Sequence, residues 1–122
     1  MKRILVSVAI LMLVVAGCSQ SSEQETPTQQ ENPQWVDQLI DQYKSEPVGN
    51  PPQSIWQYEY KGQIVYYIPQ QCCDIPSLLY DADGNRICSP DGVIAGGGDG
   101  KCPDFFTERA NETLIWKDTR TR

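Results

Sequence analysis

The chain has 122 residues, with 10 Lys+Arg against 16 Asp+Glu, a formal net charge of −6 and no histidine. That length bounds one small domain plus flanking segments. An acidic chain without a basic cluster is repelled by phosphate backbones, which excludes nucleic acid as a partner. The missing histidine removes the commonest general base, the commonest zinc ligand and every Ser-His or Cys-His catalytic pair.

Residues 1–17 read as a leader. Met1-Lys2-Arg3 is basic, residues 4–16 are apolar except for Ser7, and Val15-Ala16-Gly17 brings small residues up to Cys18. A basic start, a short apolar run and a small-residue ending make a secretory signal peptide. The run is too short for the roughly 20 residues a membrane-spanning helix needs. Its ending, Val15-Ala16-Gly17-Cys18, resembles the lipobox of bacterial lipoproteins. The resemblance implies that residues 1–17 are removed, that Cys18 becomes the first residue, and that acyl chains on it, palmitate among them, anchor the protein in the cell envelope. Ser19 in place of Asp then implies the outer membrane facing the periplasm. Loss of the leader takes Lys2 and Arg3 with it, leaving 105 residues with 8 Lys+Arg, 16 Asp+Glu and a net charge of −8. That balance argues against polybasic attachment, so the membrane partner is reached through the acyl chains alone.

Residues 18–31 follow as a tether, because SQSSEQETPTQQE after Cys18 has no large apolar residue to bury. A coil of this length reaches roughly 20 Å. The folded domain is expected over residues 32–122. Asn32-Pro33 is N-terminal helix chemistry, and Trp35, Val36, Leu39, Ile40 and Tyr43 recur at helical spacing, predicting an amphipathic helix over 33–45. Glu46-Pro47 and Gly49-Asn50-Pro51-Pro52 stop it. Residues 54–60 and 63–69 are β-rich runs around Lys61-Gly62, predicting a tight hairpin whose first strand has one wet and one buried face. The second run is apolar on both faces and reads as an inner strand. A second hairpin is expected from 78–81 and 85–88 around Asp83-Gly84. The stretch 89–104 holds five of the nine glycines; a loop that long needs pinning. Residues 105–109 suggest a helical turn and 113–117 a last strand.

Without Cys18, four cysteines remain: Cys72, Cys73, Cys88 and Cys102. An even number in an oxidising compartment reads as two disulfides. Pairing adjacent Cys72 and Cys73 closes a strained ring, which favours the two connectivities that send one of them to Cys88 and the other to Cys102. Zinc needs paired cysteines two to four residues apart, a spacing this chain lacks.

The acidic residues raise calcium as an alternative function. Asp81-Ala82-Asp83-Gly84-Asn85 resembles the start of an EF-hand loop, but Arg86 and Gly92 occupy the positions where that motif needs glycine and glutamate. Turn chemistry accounts for the segment, with Asp81, Asp83, Asp91 and Asp99 kept as calcium candidates if the glycine loop folds back. Gly100-Lys101 fits a phosphate-binding loop, but Ala95 and Cys102 do not. A carboxylate-dependent enzyme would need two acids converging in an apolar pocket, and Ser54, Ser77 and Tyr80 have no visible base.

The block from Gln71 to Phe106 includes Cys72-Cys73-Asp74, Leu79-Tyr80-Asp81, Gly84-Asn85, Ile87-Cys88, Pro90-Asp91-Gly92 and Gly98-Asp99-Gly100-Lys101-Cys102-Pro103-Asp104-Phe105. It resembles a group of uncharacterised bacterial lipoproteins whose domain has no assigned function. Val93 stands where that pattern has a second glycine. The resemblance implies no activity, cofactor or catalytic residue. The expected architecture is a small α+β domain: one N-terminal amphipathic helix packed on a small antiparallel sheet, with a loop-rich C-terminal half pinned by two disulfides. The expected function is that of a lipid-anchored envelope protein of unknown molecular task, a non-catalytic binding or structural module without cofactor, with an envelope protein or glycan as the candidate partner.

Overall fold

The computed structural model describes residues 31–72, 74–93 and 96–121. The chain divides after Gln30. The expectations for the leader, Cys18 and the tether therefore lie outside the described residues, as does Cys73.

Helix α1 (Gln34–Ser45) starts one residue later than expected. Pro33 is its N-cap, with its carbonyl accepting from Val36 N, and Asn32 instead donates to the Asp37 carboxylate at 3.2 Å. Val36 and Ile40 form its buried stripe, flanked by half-buried Trp35, Leu39 and Tyr43. At the other end the Arg120 guanidinium donates to the carbonyls of Tyr43, Lys44 and Glu46 at 2.9–3.0 Å, which satisfies acceptors that a helix end leaves open. The buried Asp118 carboxylate holds Arg120 at 2.7 Å.

Five antiparallel strands follow: β1 (Ser54–Tyr60), β2 (Gln63–Ile68), β3 (Leu78–Asp81), β4 (Arg86–Cys88) and β5 (Ala110–Lys117). Their spatial order is β4-β3-β2-β1-β5, so β5 returns past the meander to pair with β1. The β1–β2 turn has both Lys61 (φ 50°) and Gly62 (φ 75°) in the left-handed region, the type I′ geometry whose twist matches the flanking strands. In the β3–β4 turn the Asp81 carboxylate accepts from Asp83 N, Asn85 N and Asn85 Nδ2. Trp35 docks α1 onto this turn, donating from Nε1 to Ala82 O at 3.0 Å. Gly84 lies beneath the indole, where a β-carbon would sit 3.0 Å from the ring.

The period-two alternation of the strands divides two cores. Ile55, Tyr66 and Ile68 face α1 with Val36 and Ile40. Tyr58, Tyr60, Val65, Tyr67 and Leu79 face the opposite way, against Cys88, Cys102 and Phe105 of the short helix α2 (Phe105–Glu108). In β1 the Tyr58 and Tyr60 face is buried, while on the other face Ile55 is buried, Gln57 half-buried and Glu59 exposed. Described residues of segment 89–109, Cys102 and Phe105 among them, lie over the tyrosine side, and α1 lies over the other.

The expected fold class is corrected by this arrangement. The described domain is mostly an antiparallel five-stranded sheet with one helix longer than a single turn, and that helix does not open the described region, which begins with extended residues 31–33. The C-terminal half also contributes more sheet than expected: β5 is the longest strand at 8 residues, because pairing to β1 recruits 110–112 as well as the expected 113–117. One disulfide is defined, Cys88–Cys102, with a Cα separation of 6.2 Å. Neither favoured connectivity is formed. Both cysteines join the core around Phe105, which brings residue 102 back to the end of β4. Cys72 is also disulfide-bonded. No helix among the described residues is long and apolar enough to cross a membrane.

Two stability predictions follow from the turn and the bridge. A methyl group at Gly62 meets nothing, so Gly62→Ala should cost only the left-handed backbone penalty, about 1 kcal/mol in urea unfolding. Replacing Cys88 and Cys102 together by Ser should cost about 2–4 kcal/mol by the same measurement, since the bridge closes a 14-residue separation.

Candidate functional site

The tyrosine face of the sheet generates the polar chemistry of the molecule. Register pairs Trp56 with Tyr67 and Tyr58 with Val65, which places Tyr58, Tyr60 and Tyr67 on one side. Phe105 is fully buried among them, with ring centroids 5.6, 5.4 and 5.6 Å from Tyr58, Tyr60 and Tyr67. A buried tyrosine needs a partner for its hydroxyl, and each of the three finds a carboxylate. Tyr58 donates to Glu112 at 2.6 Å, Tyr60 to Asp104 at 2.5 Å and Tyr67 to Asp91 at 2.7 Å.

Burial is the main cause that raises the pKa of each hydroxyl, and the carboxylate partner adds to it. Tyr58 is pushed up to about 12, against opposition from Arg109. Tyr60 is raised against Lys61, and Tyr67 is raised further still. The Ser77 hydroxyl, itself fully buried, stands close enough to oppose the shift of Tyr67, but no group meets it in hydrogen-bond geometry. Asp104 is lowered, first by Lys61 and then by Tyr60. Neutral tyrosines of this kind donate hydrogen bonds and do not act as bases or nucleophiles at neutral pH.

Tyr67 and Asp91 open into a cleft of about 500 Å³ between the segment after α1, the β2–β3 connection and the start of the glycine loop. Pro51, Pro69, Ile75 and Val93 supply its apolar lining. Ile75 is 57% exposed and Val93 40% exposed. Gly92 makes the approach of the loop possible: at φ +86°, a β-carbon there would lie 2.4 Å from the Pro76 backbone. Val93 follows at φ 59°, a left-handed conformation that costs a β-branched residue strain. Beyond it the loop folds back on itself through Gly98 N to Gly92 O and Asp99 N to Ser89 O, and the Asp99 carboxylate accepts from Ser89 N and Lys101 N.

The calcium candidates are used separately. Asp81 serves its own turn, Asp99 the loop and Asp91 Tyr67, while Asp83 is exposed at the hairpin tip. The backbone hydrogen bonds that occupy Asp81 and Asp99 also lower their pKa values. No three metal-ligating groups gather among the described residues. Cys88 and Cys102 are joined, as described above, and Cys18 and Cys73 lie outside the described residues. The Tyr67–Asp91 pair was not visible in sequence. Its only signals were a tyrosine inside a strand apolar on both faces and the turn Pro90-Asp91-Gly92.

Residues 41–118 match the family model of a domain of unknown function, DUF6970. The chain belongs to that family. No curated protein and no solved structure matches it. The DUF6970 segment takes in the whole sheet, the Cys88–Cys102 bridge and the Tyr67–Asp91 cleft, but begins within α1 and stops short of Arg120.

Two further outcomes are expected. Val93→Gly should stabilise the domain by about 1 kcal/mol in urea unfolding, because relief of left-handed strain outweighs the added freedom of the unfolded chain. An unchanged or lower midpoint would show that contacts of the valine side chain dominate. For Tyr58, Tyr60 and Tyr67 the folded-state pKa lies above the unfolded value of about 10. The folded state then holds protons the unfolded state has released, so stability is fully present below about pH 10 and falls as pH rises beyond it. Urea midpoints taken across that range should fall, and fall less steeply for Tyr67→Phe.

Proposed function

We propose that the protein is a lipid-anchored protein of the bacterial cell envelope whose domain is a binding module without chemistry of its own. The leader of residues 1–17 ending at Cys18 supports the anchor, and Ser19 supports the outer membrane facing the periplasm. A disulfide at Cys88–Cys102 suits an oxidising compartment. The observation that carries the binding reading is the Tyr67–Asp91 cleft, where an oriented carboxylate sits among exposed apolar side chains. Apolar walls with a few fixed polar groups are the usual make-up of a ligand site. The absence of histidine removes the commonest general base from this site.

Cys18→Ala should move the protein from the membrane fraction to the soluble fraction of lysed cells. Retention in the membrane fraction would overturn the lipid anchor.

A further inference from the structure

We propose that the Tyr67–Asp91 cleft binds a lysine or arginine side chain of a partner polypeptide. The inference rests on the binding-module reading and names the chemical class of its ligand. Its basis is a comparison the molecule makes within itself. Three tyrosines on one face of the sheet each donate to a carboxylate, and two of the three pairs are completed by a cation. At Tyr58–Glu112 the Arg109 guanidinium lies 4.6 Å from the tyrosine ring centre, and Nη1 donates to the hydroxyl at 3.0 Å. At Tyr60–Asp104 the Lys61 ammonium meets the carboxylate at 2.7 Å and lies 5.0 Å from the ring centre. In the first the cation meets the tyrosine and in the second the carboxylate; the third pair has the same tyrosine and carboxylate, but among the described residues no lysine or arginine donates to either group. The ion pairs among the described residues are Lys44–Asp41, Lys61–Asp104 and Arg120–Asp118, and Asp91 is in none of them.

The nearby cations are already engaged. Arg109 acts on Tyr67 through space, but its guanidinium is held at Tyr58 and over Phe106 at 4.9 Å. Arg86 donates to Ser89. Asp91 itself lines the cleft beside Tyr67, whereas at Tyr60 the neighbouring hollow is lined by the chain's own cations, Lys61 and Lys101. A half-buried carboxylate held in one orientation by a hydroxyl favours a charge-assisted bond to an incoming N–H group. Around it, Pro51, Pro69, Ile75 and Val93 offer surface for an aliphatic stem, which lysine and arginine lay against apolar groups while the charged head reaches its partner. The net charge of −8 left after the leader adds a field that draws cations. A polypeptide is the source assigned, because side chains fill both completed sites.

The test uses the isotope-labelled full chain in detergent micelles, titrated with Nα-acetyl-lysine methylamide and followed by amide chemical shifts. Saturable shifts around residues 67, 75 and 91–93 are expected with a Kd of about 1 mM, the range open to a ligand this small. The Nε-acetylated probe and the neutral norleucine analogue should bind at least about tenfold more weakly, as should the lysine probe to Asp91→Asn, once the charged pair is lost. Ile75→Asn, a change at an exposed position on which folding does not depend, should weaken binding about threefold through lost stem contact and keeps the test decisive if Asp91→Asn fails to fold. Equal binding of the norleucine analogue would overturn the cation assignment. Tighter binding of 1,5-diaminopentane than of the blocked lysine would overturn the polypeptide source. Saturation by N-acetylglucosamine but not by the lysine probe would overturn the inference and leave the binding module standing. Silence with every probe would overturn both.

Discussion

The fold depends on covering the second face of a small sheet. One helix is enough for the first face, where Val36 and Ile40 meet Ile55, Tyr66 and Ile68. The other face is covered by the described residues of 89–109, among which the single turn of α2 is the regular structure. Irregular chain makes a poor roof, because its backbone groups must be satisfied and its conformational freedom surrendered. The Cys88–Cys102 bridge brackets residues 89–101 of that stretch, and Asp99 and the positive-φ glycines supply turns and hydrogen bonds between the two cysteines. Phe105 can then sit fully buried where α2 places it.

Covering that face with tyrosines has a chemical price, met in the same way three times. Each ring contributes apolar area to the core, while its hydroxyl must reach a partner at the margin. The partners come from three different places: Asp91 from the loop, Asp104 from the start of α2 and Glu112 from β5. A carboxylate at the edge of a core is itself best placed beside a cation. Lys61 from the hairpin turn meets that need for Asp104, and Arg109 from the α2–β5 junction adds a cation at the Tyr58 hydroxyl. The third stays open, and the segment that keeps it open carries the strained Val93. Strain held beside a cleft fits a loop shaped for contact as well as for stability.

The sequence foretold strand positions better than it foretold architecture. Apolar alternation in 54–60 and the Lys61-Gly62 turn mark β1 and its hairpin, because both signals are local. Which face of β1 is buried is harder to read, because Tyr58 and Tyr60 look amphipathic whether their rings face water or a roof, and the covering segment that holds Phe105 is distant in sequence. The disulfide pairing was misjudged for a related reason. Ring strain at Cys72 and Cys73 is visible in sequence, whereas the return of Cys102 to the end of β4 is a tertiary fact. The start of β5 was hidden in Asn111-Glu112, polar residues with little strand character that are recruited by β1. The candidate site shares this limit. Asp91 reads as turn chemistry until Tyr67, 24 residues away, is seen to donate to it.

Residues 110–120 also set an order of events. They contribute the fifth strand, the Glu112 partner of Tyr58 and, through Arg120, the cap on the far end of α1. A chain that emerges amino end first holds α1 uncapped and β1 with one bare edge until that stretch is free. Contacts of such long sequence separation are slow to form. The pairing of β1 to β4 is complete without residues 110–120, but the outer edge of β1, the Tyr58 hydroxyl and the far end of α1 all depend on them.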